Sequence, residues 1–156
     1  MKKTNVERIL DNATIEYTAI KYTYHIEDLN LMKIAADNKL DPGVIFKTLV
    51  TQDSNKRYFV AVLPGDKTLD FKKLAQQTGS KKIQMLSPKL LSATTGYVRG
   101  GCSPIGMKKK FPTYIDESAL ELDQFYINAG KRGVLIGFKP EMIKKIIDCK
   151  FCNLAV

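Results

Sequence analysis

The 156-residue chain carries 25 Lys and Arg against 16 Asp and Glu, a formal net charge of +9, with 44% hydrophobic and 26% charged residues. That length suits one domain with its own core, and the balance excludes a disordered, fibrous or collagen-like chain. No apolar run approaches the roughly 20 residues needed to cross a bilayer, and the N-terminus lacks a signal peptide's hydrophobic segment. A cytoplasmic protein without a membrane partner is expected.

Thr4-x-x-Glu7 has the form of a capping box, and Val6, Ile9 and Leu10 follow at helical spacing, so the chain opens on a short helix ending near Asn12. Ile15 to Tyr24, rich in Thr, Tyr and Ile, suits a strand on the rim of a sheet. Asn30 starts a second helix with Leu31, Ile34 and Ala35 on one face, and Asp41-Pro42-Gly43 punctuates the turn after it. Val44 to Thr51 and Tyr58 to Leu63 flank a polar stretch and read as a hairpin, closed by Pro64-Gly65.

Asp70 caps a third helix with Phe71, Leu74 and Ala75 as its core face and Gly79 as its stop, and Ser87-Pro88 begins another. Further strands are expected over Ile83 to Leu86, Tyr97 to Arg99, Thr113 to Asp116, Gln124 to Asn128 and Val134 to Phe138. Pro140 opens a last helix with an apolar stripe of Met142, Ile143, Ile146 and Ile147. With neither repeats nor linkers, residues 1–156 read as one mixed α/β domain around a curved sheet.

Cys149 and Cys152 have the spacing of a metal knuckle or redox pair, but the other Cys, Cys102, and the one histidine, His25, are far away in sequence. That falls short of the about four ligands a zinc site wants. No metal is expected, and the two cysteines are read as packing residues of the last helix.

The basic residues cluster at Lys72-Lys73, Lys81-Lys82, Lys108-Lys109-Lys110, Lys131-Arg132 and Lys144-Lys145. On one face they would attract a nucleic acid by counterion release; dispersed, they are solvated surface. Lys47 shares a strand face with Ile45 and Leu49, where an ammonium either meets a ligand in a cleft or snorkels to water from a sheet edge. The glycine-rich loop from Thr95 to Gly106 lets backbone approach a ligand or simply joins strands, and Asn128-Ala129-Gly130-Lys131-Arg132-Gly133 reads as a hairpin and not as a phosphate-binding P-loop, which needs a longer spacing. No nucleophile can be paired with a base, since His25 lies beside a Tyr-rich strand.

In order along the chain, Val44-Ile45-Phe46-Lys47-Thr48-Leu49, the loop from Gly96 through Gly106, and Ala129-Gly130-Lys131-Arg132-Gly133 resemble the YbaK/EbsC family, with Leu69 to Ala75 and Met107 to Thr113 also in keeping. The resemblance implies a domain related to the editing insertion of prolyl-tRNA synthetases, with a mixed barrel-like sheet of about six to seven strands surrounded by helices. It implies a trans-editing deacylase of mischarged tRNA, above all of cysteinyl-tRNA(Pro) and also cysteinyl-tRNA(Cys), with aminoacyl-tRNA and prolyl-tRNA synthetase as partners, no DNA and no cofactor. In such a mechanism the substrate's thiol attacks its own ester. Lys47 matches the family lysine, and Tyr22, with Tyr24 as competitor, matches a pocket tyrosine. Gly100, Gly101, Cys102, Ser103 and Pro104 match the substrate loop; Asn128 and Gly130 join the substrate set, and Lys108, Lys109, Lys110, Lys131 and Arg132 the tRNA set. An aspartate of the cysteine-specific branch falls on Leu135. The alternative is a non-catalytic module binding tRNA or a synthetase.

Overall fold

The computed structural model describes residues 2–156. Helix α1 spans Asn5–Asn12; the Thr4 hydroxyl accepts from Glu7 N, the Glu7 carboxylate accepts from Thr4 N, and Val6 and Leu10 are buried. Helix α2, Leu31–Asp37, starts from the Asn30 side chain and buries Ile34 and Ala35. Helix α3, Phe71–Thr78, is capped by Asp70 and stopped by Gly79 in the left-handed conformation that glycine adopts freely. Its buried residue is Leu74, whereas Phe71, expected on the core face, sits in the first turn and is exposed.

Among the described residues, eight strands form two sheets. β1 (Thr18–Lys21), β7 (Val134–Phe138) and β6 (Phe125–Asn128) make an antiparallel three-stranded sheet in the order β1-β7-β6. The five-stranded sheet has the order β4-β2-β3-β5-β8, from β4 (Ile83–Met85), β2 (Phe46–Asp53), β3 (Tyr58–Pro64), β5 (Thr113–Asp116) and β8 (Cys149–Cys152). Pairing is antiparallel from β4 to β3 and parallel from β3 to β8, so this sheet is mixed. The expected α/β class with surrounding helices is found, but as two sheets and not as a closed barrel.

The main core lies between the sheets. Phe46, Val60, Val62 and Ile115 meet Phe125, Ile127, Ile136 and Phe138, and Phe125 stands edge-on to both Phe46 and Phe138. β3 is buried on both faces, because Phe59, Ala61 and Leu63 pack the other way against Leu74, Ile83 and Leu154. That double burial explains its unbroken apolar run. A third cluster joins α2 to the three-stranded sheet through Tyr22, Ile34, Ile45 and Leu135.

Three expectations are corrected. Tyr97 to Arg99 is not a strand: the short helix α4 (Leu91–Thr95) ends on left-handed Gly96, and Tyr97 then turns its ring into the core. The rim strand expected over Ile15 to Tyr24 is paired only over Thr18–Lys21. Pro140–Lys145 forms a 3-10 turn, and the chain then returns as β8, so Cys149 and Cys152 belong to a strand and not to a helix. There they lie three residues apart, on opposite faces and about 10 Å apart along the strand, beyond disulfide reach. The register of β8 is held by Asp116, whose carboxylate accepts from Leu154 N, Ala155 N and both Ser118 donors. Among the described residues no helix is long and apolar enough to cross a membrane.

Candidate functional site

Among the described residues, β2 is the strand at the site that touches both sheets. β4 pairs with its far end alone, Thr51 to Asp53, while just before its near end Ile45 bridges Tyr126 in parallel and Tyr126 N donates to Val44 O at 2.9 Å. Past this bridge the hydrogen-bonded pairing between the sheets stops, and a cavity of about 570 Å³ opens. Lys47 lines it. Only β3 pairs with β2 at Lys47, since β4 begins at Thr51, so this lysine stands at a locally open side of the strand, and that side opens into the cavity.

The Lys47 ammonium donates to the main-chain oxygen of Lys67 in the turn after β3. Gly65 anchors that turn: its N–H donates to Ile45 O at 2.7 Å, and a methyl group there would collide with Leu31. Burial lowers the pKa of Lys47 from the ordinary lysine value, and the Asp66 carboxylate works against that drop. Asp66 and Lys67 line the cavity but escaped the sequence reading, which took Pro64-Gly65 as the plain end of a strand. The available signal was a charged Asp-Lys pair directly after a strand terminus.

The opposite wall comes from the glycine loops. Tyr22, buried, sends its hydroxyl toward Gly100 O at 3.4 Å, and Asn128 Nδ2 donates to the same oxygen at 2.6 Å. Tyr22, Gly100, Cys102, Asn128 and Leu135 therefore share the cavity with Lys47, while Tyr24 is exposed and stacks edge-on against Tyr22. Two buried side-chain oxygens have no hydrogen-bond partner among the described residues, Asn128 Oδ1 and Thr48 Oγ1, and both residues line this cavity. Thr48 was also overlooked, because a threonine in a strand is ordinary in sequence. Arg99 lines the cavity too, and its carbonyl accepts from Arg132 Nε at 2.8 Å.

Other expected site residues stand behind this wall. Gly101 is pressed against the Lys131–Arg132 backbone, the Ser103 hydroxyl accepts from Ile105 N, and Gly130 packs on Tyr97 and Val6. Pro104 faces a second cavity of about 490 Å³, shared with Lys109 and Lys110. Lys108 and Lys131 are exposed. His25 is exposed and lines neither cavity, and burial pushes the Cys102 thiol up to about 12, far from a thiolate at neutral pH. Among the described residues the cavity thus offers a lysine amine, a bent glycine loop and two unpartnered polar oxygens, and its Cys102 thiol is not activated.

The chain belongs to the aminoacyl-tRNA editing domain family, whose model matches residues 29–146. A relative in Enterococcus faecalis, provisionally named Cys-tRNA(Pro)/Cys-tRNA(Cys) deacylase EbsC, is 42% identical over 98% of this chain and 93% of its own length. Among solved structures, the chain is similar in fold to a protein described as a trans-editing enzyme for prolyl tRNA synthetase, with a TM-score of 0.76 at 18% identity over 99% of both chains. A hypothetical protein solved by crystallography gives a TM-score of 0.82 at 19% identity, over 97% of this chain and 99% of that one. At such identities the two structures speak for the fold alone.

Proposed function

We propose that this protein is a trans-editing aminoacyl-tRNA deacylase that removes cysteine from cysteinyl-tRNA(Pro), and from cysteinyl-tRNA(Cys), at the Lys47 cavity. The observation that carries the reading is a half-buried lysine sharing a cavity with a glycine loop, where the Cys102 thiol is held far from the thiolate form. Support for the substrate comes from membership of the editing family and from the name of the 42% identical relative.

The chemistry that fits such a cavity uses the substrate's own thiol. Its sulphur attacks the ester carbonyl, the S–C bond forms, the C–O bond to the ribose breaks, and the ribose oxygen leaves with the thiol proton. The cysteine departs as a cyclic thiolactone. Negative charge develops on the carbonyl oxygen and on the leaving oxygen, and Lys47 Nζ is the cation available to stabilise it. The wall formed by Tyr22, Gly100 and Asn128 positions the aminoacyl end. Lys108, Lys109, Lys110, Lys131 and Arg132 supply the charge for the phosphate backbone, Gly101, Ser103, Pro104 and Gly130 shape the loops behind the cavity, and prolyl-tRNA synthetase is the expected companion.

The test is a deacylation assay with cysteinyl-tRNA(Pro), cysteinyl-tRNA(Cys), alanyl-tRNA(Pro) and prolyl-tRNA(Pro). Accelerated ester loss from the two cysteinyl substrates is expected. No acceleration on any of the four would overturn the activity, and loss confined to alanyl-tRNA(Pro) would overturn the cysteine assignment.

A further inference from the structure

The amide of Asn128 is held on one side and unanswered on the other. Its Nδ2 donates to Gly100 O at 2.6 Å, and reversing the amide would set oxygen against oxygen, so Oδ1 is the atom left over. That oxygen is buried and accepts nothing from the described residues. A buried acceptor without a donor is costly, and native structures seldom retain one without a use.

Its place narrows what could answer it. From the Ile45–Tyr126 bridge, Lys47 is two residues onward along β2 and Asn128 two residues onward along β6, each on the same side of its strand as the bridging residue. Both line the one cavity. An ammonium only donates hydrogen bonds, and a carboxamide oxygen only accepts them. A ligand carbonyl would satisfy Lys47 alone and a ligand ammonium would satisfy Asn128 alone, whereas a hydroxyl or thiol can accept from the first and donate to the second.

From this complementarity we infer that Asn128 is a specificity-determining residue that reads a hydroxyl or thiol on the ligand, with the ligand's hydrogen directed at Oδ1 and its oxygen or sulphur turned toward Lys47. Leu135, paired with Asn128 across β6 and β7, and Tyr22 are both buried, so no neighbouring side chain is placed to answer the acceptor when a ligand lacks that group. For the substrate, the inference rests on the deacylase reading. An aminoacyl-adenosine end offers two groups of this chemistry, the ribose 2′-hydroxyl and the side chain of cysteine, serine or threonine.

The experiment measures binding of uncleavable, amide-linked 3′-aminoacyl-adenosine analogues by titration calorimetry, in two pairs: seryl against alanyl, and ribose against 2′-deoxyribose. The wild-type protein is expected to bind the hydroxyl-bearing member of at least one pair about tenfold more tightly. The pair that shows the preference identifies the source. Asn128→Ala should bind both members of that pair equally. A wild-type protein indifferent to both pairs, or a preference undiminished in Asn128→Ala, overturns the inference. Hydroxyl-dependent binding in a protein without turnover would instead sink the deacylase reading and leave this one standing.

Discussion

The Tyr97 hydroxyl donates to the carbonyl oxygen of Ile105 at 2.6 Å, closing the loop that carries Gly100 to Pro104 into a ring tied at both ends. The tyrosine ring also abuts Gly130 in the second glycine loop, where an added methyl group would stand 3.1 Å from Cε1. One buried side chain therefore sets both glycine segments behind the cavity wall. Tyr97→Phe keeps the ring and leaves the buried Ile105 carbonyl without its donor, which should lower stability by about 1–3 kcal/mol in chemical denaturation.

Removing the cation should act on chemistry and not on folding. Lys47 is half-buried and lies in no core cluster, so Lys47→Met should unfold at nearly the wild-type temperature. Its deacylation rate should fall about 100-fold, the scale of losing one electrostatic contact to a developing charge. Equal rates in single-turnover assays would refute the role given to this lysine.

Gly101 tests the contact between the loops. A methyl group there would lie 3.0 Å from Lys131 Cα and 3.1 Å from Arg132 N, and backbone cannot swing aside as a side chain can. Gly101→Ala should push the two loops apart, raising KM and lowering the melting temperature together. An unchanged KM in a correctly folded variant would show that the two loops act independently.

Acid should weaken the fold through Asp53. Its burial raises the carboxyl pKa, but hydrogen bonds from Arg57 N, Ser80 Oγ, the Arg57 guanidinium and Asn55 N outweigh that and hold it down at about 2, against an unfolded value of 3.8. A folded value below the unfolded one means stability that is present above about pH 4 and is lost as pH falls toward 2. A carboxamide in its place cannot titrate, so thermal melts of Asp53→Asn should show a shallower loss than wild type across that window. Parallel curves would show that this carboxylate does not contribute.

Burial pushes all three thiols up, Cys102 to about 12 and both Cys149 and Cys152 to about 11. Iodoacetamide at pH 8 should therefore modify the native protein slowly and all three sites quickly once it is unfolded in guanidinium, as intact mass would record. Fast labelling of native Cys102 would reopen the case for a protein nucleophile at the cavity.

Local signals along the chain were readable where the physics is local. The Thr4 capping box, the Asn30 and Asp70 caps and the Gly79 stop each depend on a few neighbouring residues, and all four are found. β5 and β7 have the bounds their apolar and β-branched runs suggest. β8 was missed because Cys149–Cys152 is half-exposed and follows an apolar helical stripe, and only its parallel partner β5 makes it a strand. Phe71 looked like core by spacing, but the first turn of α3 projects past the edge of the cluster that covers Leu74.

The ordered motifs around Lys47, Gly100 and Gly130 were enough to place the chain in its family by resemblance, because such a likeness lies in residue identity and order and needs no tertiary contact. Only the tertiary structure decided that Lys47 faces a cavity, that Asp66, Lys67, Thr48 and Arg99 share it, and that Ser103 and Gly130 stand behind its wall. Those facts depend on how two sheets meet at the Ile45–Tyr126 bridge. A contact between residues about eighty positions apart leaves no mark in the local pattern of either segment.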